Sequence, residues 1–241
     1  MVSALVTGAN RGVGLGLVKE LLKRKDVTVV FATKRSGSKC EELESIKDER
    51  LHILCMDVCR NEEIHKAVEE VSAIVGESGL DVLINNAGVM CSYPLEGAVN
   101  RNLLREHFDI NTISPLVIAQ IFFPLLKTAA AKRGFSKLIN MSSRIGSLHD
   151  CTGGSVQGYH PYAMGKAALN MMTRSLSVDY KKEGIICMAI SPGWVRTEMG
   201  GQEAALSVEE STCDVIVSIL DKLNLETEEV FFDRLFNPLQ Y

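Results

Sequence analysis

The chain has 241 residues, of which 46% are hydrophobic and 23% charged, and its net charge is −4. This composition excludes a disordered chain, a collagen-like repeat and a small disulfide-stapled protein. No cluster of Lys and Arg suggests a nucleic-acid partner, and apolar stretches such as Ser114–Leu126 are too short and interrupted to cross a bilayer.

Short β-type runs alternate with longer segments of helical spacing along the chain. The predicted strands are Val2–Val6, Val27–Ala32, Leu51–Met56, Asp81–Ile84, Lys137–Met141, Ile185–Ile190 and Val230–Phe232. The predicted helices are Gly12–Lys23, Cys40–Lys47, Asn61–Val75, Asn102–Ala131, Tyr162–Lys182 and Val208–Leu223. This alternation predicts an α/β fold: a single doubly wound, mostly parallel seven-stranded sheet of Rossmann type, with helices on both faces. We expect one domain spanning 1–241.

Two stretches rich in turn-forming residues, 147–161 and 193–207, interrupt this alternation. Both follow predicted strands, and ligands of open α/β sheets bind beyond the carboxyl ends of the strands. We therefore interpret both stretches as the rim of a substrate site. Plain surface loops are the alternative.

The cysteines and the start of the chain bear on the compartment. Seven cysteines include no C-x-x-C pair, and no histidine pair accompanies Cys55 and Cys59. We therefore expect reduced thiols, no metal site and a cytoplasmic protein. An apolar strand begins at Val2 without a preceding basic region, unlike a signal peptide.

A glycine-rich turn, T-G-A-N-R-G-V-G from Thr7 to Gly14, follows the first predicted strand. Gly8 permits a tight turn, Gly12 lets the backbone approach a pyrophosphate, and Gly14 lets the helix pack closely on the strand. The helix that begins here directs free N–H groups and a positive dipole end at an anion. The glycine spacing alone is a weak signal, but its placement between strand and helix favours a nucleotide site.

With this spacing, the sequence resembles the simple, non-extended branch of the short-chain dehydrogenase/reductase family, which carries T-G-x-x-x-G-x-G. Other family motifs follow in the expected order: Asp57-Val58, Asn85-Asn86-Ala87-Gly88, Ser142-Ser143, Tyr162-Ala163-Met164-Gly165-Lys166 and Pro192-Gly193. The stretches I-N-M-S-S-R-I-G-S, A-A-L-N-M-M-T-R-S-L-S-V-D and P-G-W-V-R-T-E-M-G-G are most similar to sniffer-type carbonyl reductases and C-factor-like proteins. This resemblance covers essentially the whole chain. It implies NADPH-dependent reduction of an aldehyde, ketone or quinone to an alcohol by hydride transfer.

Tyr162 and Lys166 are four residues apart, so they share one face of a helix. A nearby ammonium favours phenolate, and we expect the pKa of Tyr162 to fall from about 10 toward neutrality. Such a tyrosine can protonate a carbonyl oxygen as hydride arrives at carbon. Alternatively, Tyr162 only packs and Lys166 is a solvated lysine.

The resemblance assigns two further catalytic residues. The family uses a serine after its fifth strand to bond the substrate oxygen, and the pattern N-x-S-S-x-x-G assigns that role to Ser143, with Ser142 as a structural neighbour. Only one of two adjacent strand residues faces a given side. Asn111 matches the family's helix asparagine, which is thought to widen a helix turn and hold a water in a proton relay to the lysine. A buried core asparagine is the alternative.

The end of the second strand bears on cofactor choice. NAD-dependent proteins typically have an acidic residue there, whereas this chain continues with Lys34 and Arg35 and has no carboxylate before Glu41. With Arg11, these cations could converge on a 2′-phosphate, which arginine binds well. We therefore predict NADP(H); three ordinary surface cations are the alternative.

Other cofactor contacts are implied by motif. Asp57 and Val58 correspond to adenine contacts, and Asn86, Ala87 and Gly88 to the adenosine ribose region. The remaining predicted contacts are Asn10 and Val13 in the glycine turn, Tyr162 and Lys166 at the ribose, and Pro192, Val195 and Thr197 at the nicotinamide and phosphate. Trp194 is either a wall of the substrate pocket or a packing residue.

The implied partner is a small-molecule carbonyl compound, and family members also form homodimers or homotetramers through their long helices. A different class of function is a non-catalytic NADP(H)-binding redox sensor or a developmental signalling protein. Sensors of this kind often lose the tyrosine or the lysine, whereas this chain has both Tyr162 and Lys166.

Overall fold

The computed structural model describes residues 1–151 and 158–241, and these form one seven-stranded sheet in which all neighbouring strands are parallel. The strands are β1 Val2–Val6, β2 Val27–Lys34, β3 Leu51–Cys55, β4 Val82–Asn85, β5 Ser136–Met141, β6 Ile185–Ser191 and β7 Phe231–Asp233. Their spatial order is β3-β2-β1-β4-β5-β6-β7. The predicted doubly wound α/β fold is confirmed. The strands β2 and β3 lie on one side of β1, whereas β4 and the later strands lie on its other side, so β1 and β4 are neighbours.

Helices cover both faces of the sheet. Their bounds are α1 Gly12–Lys23, α2 Glu41–Glu44, α3 Asn61–Val75, α4 Arg101–Phe108, α5 Ser114–Arg133, α6 His160–Tyr180 and α7 Val208–Val217. One core cluster joins one sheet face to α1 and α7, through side chains such as Leu17 and Ile216. The other joins the opposite face to α3, α5 and α6, through side chains such as Ile64, Phe122 and Leu176. Burial on both faces explains why the strands are continuously apolar.

Three predicted helices differ from the structure, one of them Val208–Leu223, which is α-helical over Val208–Val217 and continues as a π turn over Ser218–Lys222. The segment predicted as Cys40–Lys47 is helical only over α2, Glu41–Glu44. The segment predicted as one helix over Asn102–Ala131 contains a π turn, Asp109–Ile113, between α4 and α5. A π turn accommodates one residue more than an α-helical turn, and apolar spacing alone cannot reveal it.

The helical run Arg101–Arg133 is, within the described part of the chain, long and apolar enough to cross a membrane by length and composition. The helix thus extends well beyond the apolar stretch considered above, so its length does not exclude a span. Its inward side chains Ile118, Ala119, Phe122 and Leu126 are at most 1% exposed, because α5 covers the sheet. We therefore interpret it as a core helix, and the lack of membrane association stays a prediction.

Candidate active site

The carboxyl ends of the parallel strands lie at one edge of the sheet, and the glycine turn emerges there from β1. Gly8 has a φ of +62°, and a Cβ at this position would lie 2.8 Å from the Cα of Ala87. A Cβ at Gly14 would lie 2.3 Å from the carbonyl oxygen of Gly8 and 2.5 Å from Nδ2 of Asn86. Side chains at these two positions would therefore push the turn away from β4.

Thr7 joins the glycine turn to the segment that follows β4. Its Oγ1 accepts hydrogen bonds from the backbone N–H groups of Asn86 (2.9 Å) and Ala87 (3.0 Å). In return, Nδ2 of Asn86 donates to the carbonyls of Thr7 (2.9 Å) and Gly8 (3.1 Å). The Asn86 side chain is thus a structural staple between two strand ends. Thr7 opens the T-G-x-x-x-G-x-G motif, but its role in joining the two strand ends was not predicted from the sequence.

The segment after β6 closes the other side of the cleft. A Cβ built on Gly12 would lie 3.4 Å from Cγ2 of Thr197, so the glycine turn and this segment are in close contact. Val195 is buried and forms a parallel bridge with Leu206. The carbonyl of Pro192 accepts a hydrogen bond from Ser211 of α7 (2.7 Å). The predicted contacts Pro192, Val195 and Thr197 therefore follow the end of β6, and Thr197 faces the glycine turn.

The amino end of α1 suits an anion. Its N-cap, Arg11, makes no side-chain capping hydrogen bond, so the first N–H groups of α1 are not capped by that side chain. Val13, in the first turn of α1, is partly buried against the core. Nδ2 of Asn10 donates to the carbonyl of Lys39 (3.1 Å), which ties the turn to the segment after β2. The residues of this turn fit the phosphate groups of a dinucleotide, since uncapped N–H groups and a helix dipole favour negative charge.

The structure pairs two of the three predicted 2′-phosphate cations with carboxylates. Arg11 forms an ion pair with Glu198. Nζ of Lys34 lies 3.5 Å from Oε1 of Glu44, which also accepts from the thiol of Cys40 (3.0 Å). The pKa of Lys34 is raised and the pKa of Glu44 is lowered. In both cases the largest cause is the side chain of Cys40. Neither ion pair was expected from the sequence. For Arg11 the reason is the distance along the chain, because Glu198 lies 187 positions away.

Arg35 is exposed, and no described residue forms an ion pair with it. It directly follows β2 at the carboxyl edge of the sheet. Of the three cations, Arg35 therefore has the side chain best able to receive an incoming phosphate without first losing a partner.

The two residues assigned to the adenine follow β3. Val58 is 8% exposed, whereas Asp57 is partly buried. Oδ1 of Asp57 accepts from the backbone N–H of Cys59 (3.0 Å), and the Asp57 N–H donates to Glu63 (2.7 Å). Asp57 therefore orders the turn between β3 and α3.

Asn111 lies in the π turn and is fully buried. Its side-chain amide forms a pair of hydrogen bonds with Val89: Oδ1 accepts from the Val89 N–H (3.0 Å) and Nδ2 donates to the Val89 carbonyl (2.9 Å). A Cβ at Gly88 would lie 3.0 Å from Oδ1 of Asn111 and 3.8 Å from Nζ of Lys166. The structure thus brings Gly88, Asn111 and Lys166 together beneath the cleft.

The two adjacent serines after β5 have different surroundings. The Ser143 side chain lies near enough to Tyr162 to lower its pKa, and its Oγ accepts a hydrogen bond from the N–H of Ile145 (3.3 Å). Ser142 is 2% exposed and donates to Oδ1 of Asn170 on α6 (2.5 Å). Only Ser143 therefore faces the tyrosine. The sequence did not predict Asn170 as the partner of Ser142. Its position one helical turn beyond Lys166 is the sequence feature that could have pointed to it.

Tyr162 and Lys166 share one face of α6, with Nζ of Lys166 5.5 Å from the centre of the tyrosine ring. Nζ donates to the carbonyl of Met141 at the end of β5 (2.6 Å). A Cβ at Gly146 would lie 2.7 Å from the carbonyl carbon of Lys166, so the turn after Ser143 packs directly on α6. This close packing fixes Ser143 relative to both α6 side chains.

The expected lowering of the Tyr162 pKa is wrong for this structure. Burial raises the pKa of Tyr162 to about 12, although the Ser143 side chain acts in the opposite direction. Burial also lowers the pKa of Lys166 to about 8. Both shifts disfavour the charged forms, as burial generally does. The phenol is therefore protonated at neutral pH, as a proton donor must be.

Trp194 is 58% exposed, and its Nε1 donates to the carbonyl of Gly200 (2.7 Å) within the 193–207 segment. In the other rim segment, Ser147 Oγ donates to the carbonyl of Gln240 (2.7 Å) and accepts from the N–H of Asp150 (3.0 Å). Residues 152–157 of the predicted rim 147–161 lie outside the described residues. The described part of that rim is thus anchored to residues 240 and 241, since the His149 N–H donates to the Tyr241 carbonyl (3.0 Å).

All seven cysteines are free thiols. Cys40 and Cys187 are buried, and Cys91 is partly exposed. Among the residues that the structure describes, no group of three or more His, Cys, Asp or Glu side chains is arranged to hold a metal ion.

Comparisons with known proteins identify the family to which this chain belongs. Residues 3–206 match the family described as short chain dehydrogenase. The structure of the carbonyl reductase Sniffer of D. melanogaster is 36% identical, with a TM-score of 0.94 over 100% of both chains. An NADPH-bound carbonyl reductase from chicken fatty liver is 35% identical, with a TM-score of 0.92 over 99% of this chain and 98% of the other. C-signal of Myxococcus xanthus is 39% identical over 64% of this chain and 88% of its own.

Proposed function

Because the chain belongs to the short chain dehydrogenase family of oxidoreductases, we propose that it is an NADPH-dependent reductase that converts an aldehyde, ketone or quinone to an alcohol. The observation that carries this proposal is the grouping of Ser143, Tyr162 and the buried Lys166, with the Lys166 ammonium 5.5 Å from the centre of the Tyr162 ring and the Ser143 side chain near enough to Tyr162 to lower its pKa. These groups lie next to a turn whose uncapped N–H groups suit a dinucleotide. The likeness to two carbonyl reductases supports the same reaction class.

In this mechanism, Ser143 and Tyr162 bind the oxygen of the substrate carbonyl. NADPH supplies the hydride that the carbonyl carbon accepts. Tyr162 donates its phenolic proton to the developing alkoxide oxygen, which completes the alcohol. Lys166 then returns a proton to the tyrosine, and Asn111 keeps the π turn open next to that lysine. We assign the catalytic roles to Asn111, Ser143, Tyr162 and Lys166.

The cofactor is NADP(H). The chicken enzyme holds NADPH in its crystal structure, and this chain has cations rather than a carboxylate at the end of β2. Arg35 offers an exposed guanidinium at that point, and Arg11 offers a second one across the glycine turn. Arginine binds phosphate with two parallel hydrogen bonds, so both side chains suit the 2′-phosphate.

Replacing both Arg11 and Arg35 with Gln tests this assignment. We expect the affinity for NADPH to fall roughly ten- to a hundredfold, because hydrogen bonds to charged groups contribute about 1.5–3 kcal/mol. NADH lacks the 2′-phosphate and should bind nearly as before. Isothermal titration with both cofactors measures the two affinities. The double variant Arg101→Gln, Arg105→Gln on α4 removes the same charge and serves as the control. Equal losses for NADPH and NADH would contradict the assignment.

The two serines after β5 provide a second test. We expect Ser143→Ala to lower kcat/KM about a hundredfold, as removal of one donor to a developing oxyanion does, with little change in stability. Ser142→Ala should instead lower the free energy of unfolding by about 1–2 kcal/mol, because it leaves Asn170 without its buried partner. Steady-state kinetics and urea denaturation separate these effects. The reverse pattern would assign the catalytic role to Ser142.

A substrate panel tests the function itself. NADPH oxidation is measured with quinones, aromatic aldehydes, diketones and ketosteroids. Turnover of at least one class supports the reductase. Tight NADPH binding without turnover of any would favour the redox sensor, and the likeness to C-signal keeps a signalling role as the second candidate. A Tyr162→Phe chain that loses turnover but keeps its biological effect would favour signalling.

The remaining expectations are parts of the same proposal. We propose one NADP-binding domain over 1–241, with 147–161 and 193–207 as its substrate rim, in the cytoplasm. Self-association as a homodimer or homotetramer through the long helices also stays a prediction. Ile113 and Met164 have exposed apolar side chains, which self-association could cover.

A further inference from the structure

The segment 193–207 is internally cross-linked by hydrogen bonds. Besides the bond from Trp194 to the Gly200 carbonyl, Thr197 Oγ1 accepts from the Gly200 N–H (3.0 Å). The guanidinium of Arg196 donates to the carbonyls of Ala204 (2.9 Å) and Ala205 (3.0 Å). These bonds join the two halves of the segment. We call this segment the post-β6 loop.

One ion pair links the post-β6 loop to the glycine turn across the cleft. Within the described residues, it is the pair between Arg11 and Glu198. Both side chains are largely exposed, at 65% and 75%. Water and dissolved ions therefore reach the pair, and it can exchange partners at little cost in free energy. The neighbouring contact between Gly12 and Thr197 keeps the two segments adjacent.

Arg11 has two competing anionic partners if the proposed function holds. The 2′-phosphate of NADP(H) and the carboxylate of Glu198 both require the same planar guanidinium. An unpaired carboxylate close to a bound phosphate would also repel it. A carboxylate in this position therefore opposes NADP(H), whereas NADH has no 2′-phosphate to compete for Arg11.

We infer that Glu198 is a specificity-determining residue that holds Arg11 until a 2′-phosphate displaces it, so that NADP(H) binding is coupled to the post-β6 loop. This inference rests on the proposed function, because it takes Arg11 as a ligand of the 2′-phosphate. The post-β6 loop, which contains Trp194 and Thr197, therefore responds to the 2′-phosphate at the opposite end of the cofactor. NAD(H) would occupy the cleft without breaking the pair.

Binding measurements with the intact chain test the competition. We expect Glu198→Gln to tighten NADPH binding about fivefold, since exposed ion pairs contribute up to about 1 kcal/mol, and to change NADH binding much less. Glu203→Gln makes the same charge change at an exposed position of the same loop and should leave the ratio of the two affinities unaltered. In the Arg11→Gln background, Glu198→Gln should have no further effect on that ratio.

Trp194, the only tryptophan, gives an independent readout. We expect NADP⁺ to change its emission spectrum more than NAD⁺ does. Without any cofactor, Glu198→Gln should shift the emission in the same direction as NADP⁺ shifts the wild type, and Glu203→Gln should not. If the wild type fails to bind NADPH, the proposed function is wrong. If the wild type binds NADPH but Glu198→Gln and Glu203→Gln have the same ratio of NADPH to NADH affinity and the same Trp194 emission, only the role of Glu198 is wrong.

Discussion

Tyr162→Phe should reduce the rate of carbonyl reduction roughly a thousandfold, because a positioned general acid contributes about 10²–10⁴ in rate. The variant lacks only the hydroxyl that faces Ser143. The aromatic ring is retained, so NADPH should still bind. Single-turnover measurements of NADPH oxidation, together with titration of NADPH binding, separate the chemical step from cofactor affinity.

Tyr180→Phe is the matched control for this substitution. Tyr180 ends α6, and its ring lies 4.7 Å from that of Phe123, away from the carboxyl edge of the sheet. The same loss of a hydroxyl there should leave the single-turnover rate unchanged. If both variants reduced the carbonyl equally fast, Tyr162 would not be the proton donor.

Lys166→Met should lower kcat about a hundredfold and change its dependence on pH. Burial lowers the pKa of Lys166 to about 8, so the ammonium that reprotonates Tyr162 is present below that pH and is lost above it. The wild-type kcat for reduction should therefore be constant below pH 8 and fall by about tenfold per pH unit above it. The variant should be slow throughout and lack this alkaline fall.

Lys137→Met is the control for the pH profile. Lys137 is also buried, its pKa is also lowered by burial to about 8, and its Nζ donates to the carbonyl of Ile219 (2.6 Å). It begins β5 at the edge of the sheet away from the site. The folded Lys137→Met variant, checked by circular dichroism, should keep the alkaline fall. Loss of the fall in this variant rather than in Lys166→Met would contradict the assignment.

Most of the fold could be predicted because each element has a local signal. The strand Val2–Val6 and the helices Gly12–Lys23 and Asn61–Val75 have the predicted bounds. Their apolar runs and turn residues lie within a few positions of one another. The π turn at Asn111 left no mark in the apolar spacing, because the Asn111 side chain bonds to Val89, 22 positions earlier. The spacing predicts one continuous helix there, and only the family resemblance implied a widened turn at Asn111.

The candidate site could be predicted in part for the same reason. Tyr162 and Lys166 are adjacent on one helix, so their proximity follows from spacing. The carboxylates that pair with Arg11 and Lys34 come from distant or separate segments, so only the fold brings them together. The direction of the Tyr162 pKa shift depends on burial, which the spacing of Tyr162 and Lys166 does not determine.

The parallel order of the sheet has a consequence for how this protein folds. Parallel neighbours cannot be joined by a hairpin, so every strand pair requires a long crossover and closes a large loop before it gains contacts. The staple between Thr7 and Asn86 spans 79 positions and forms only when β1 and β4 meet. The dinucleotide cleft is therefore complete only once β1 and β4 have paired, and a bound cofactor favours the native state over every species that lacks this pairing. Saturation with cofactor should accordingly protect the chain against unfolding as well as support turnover.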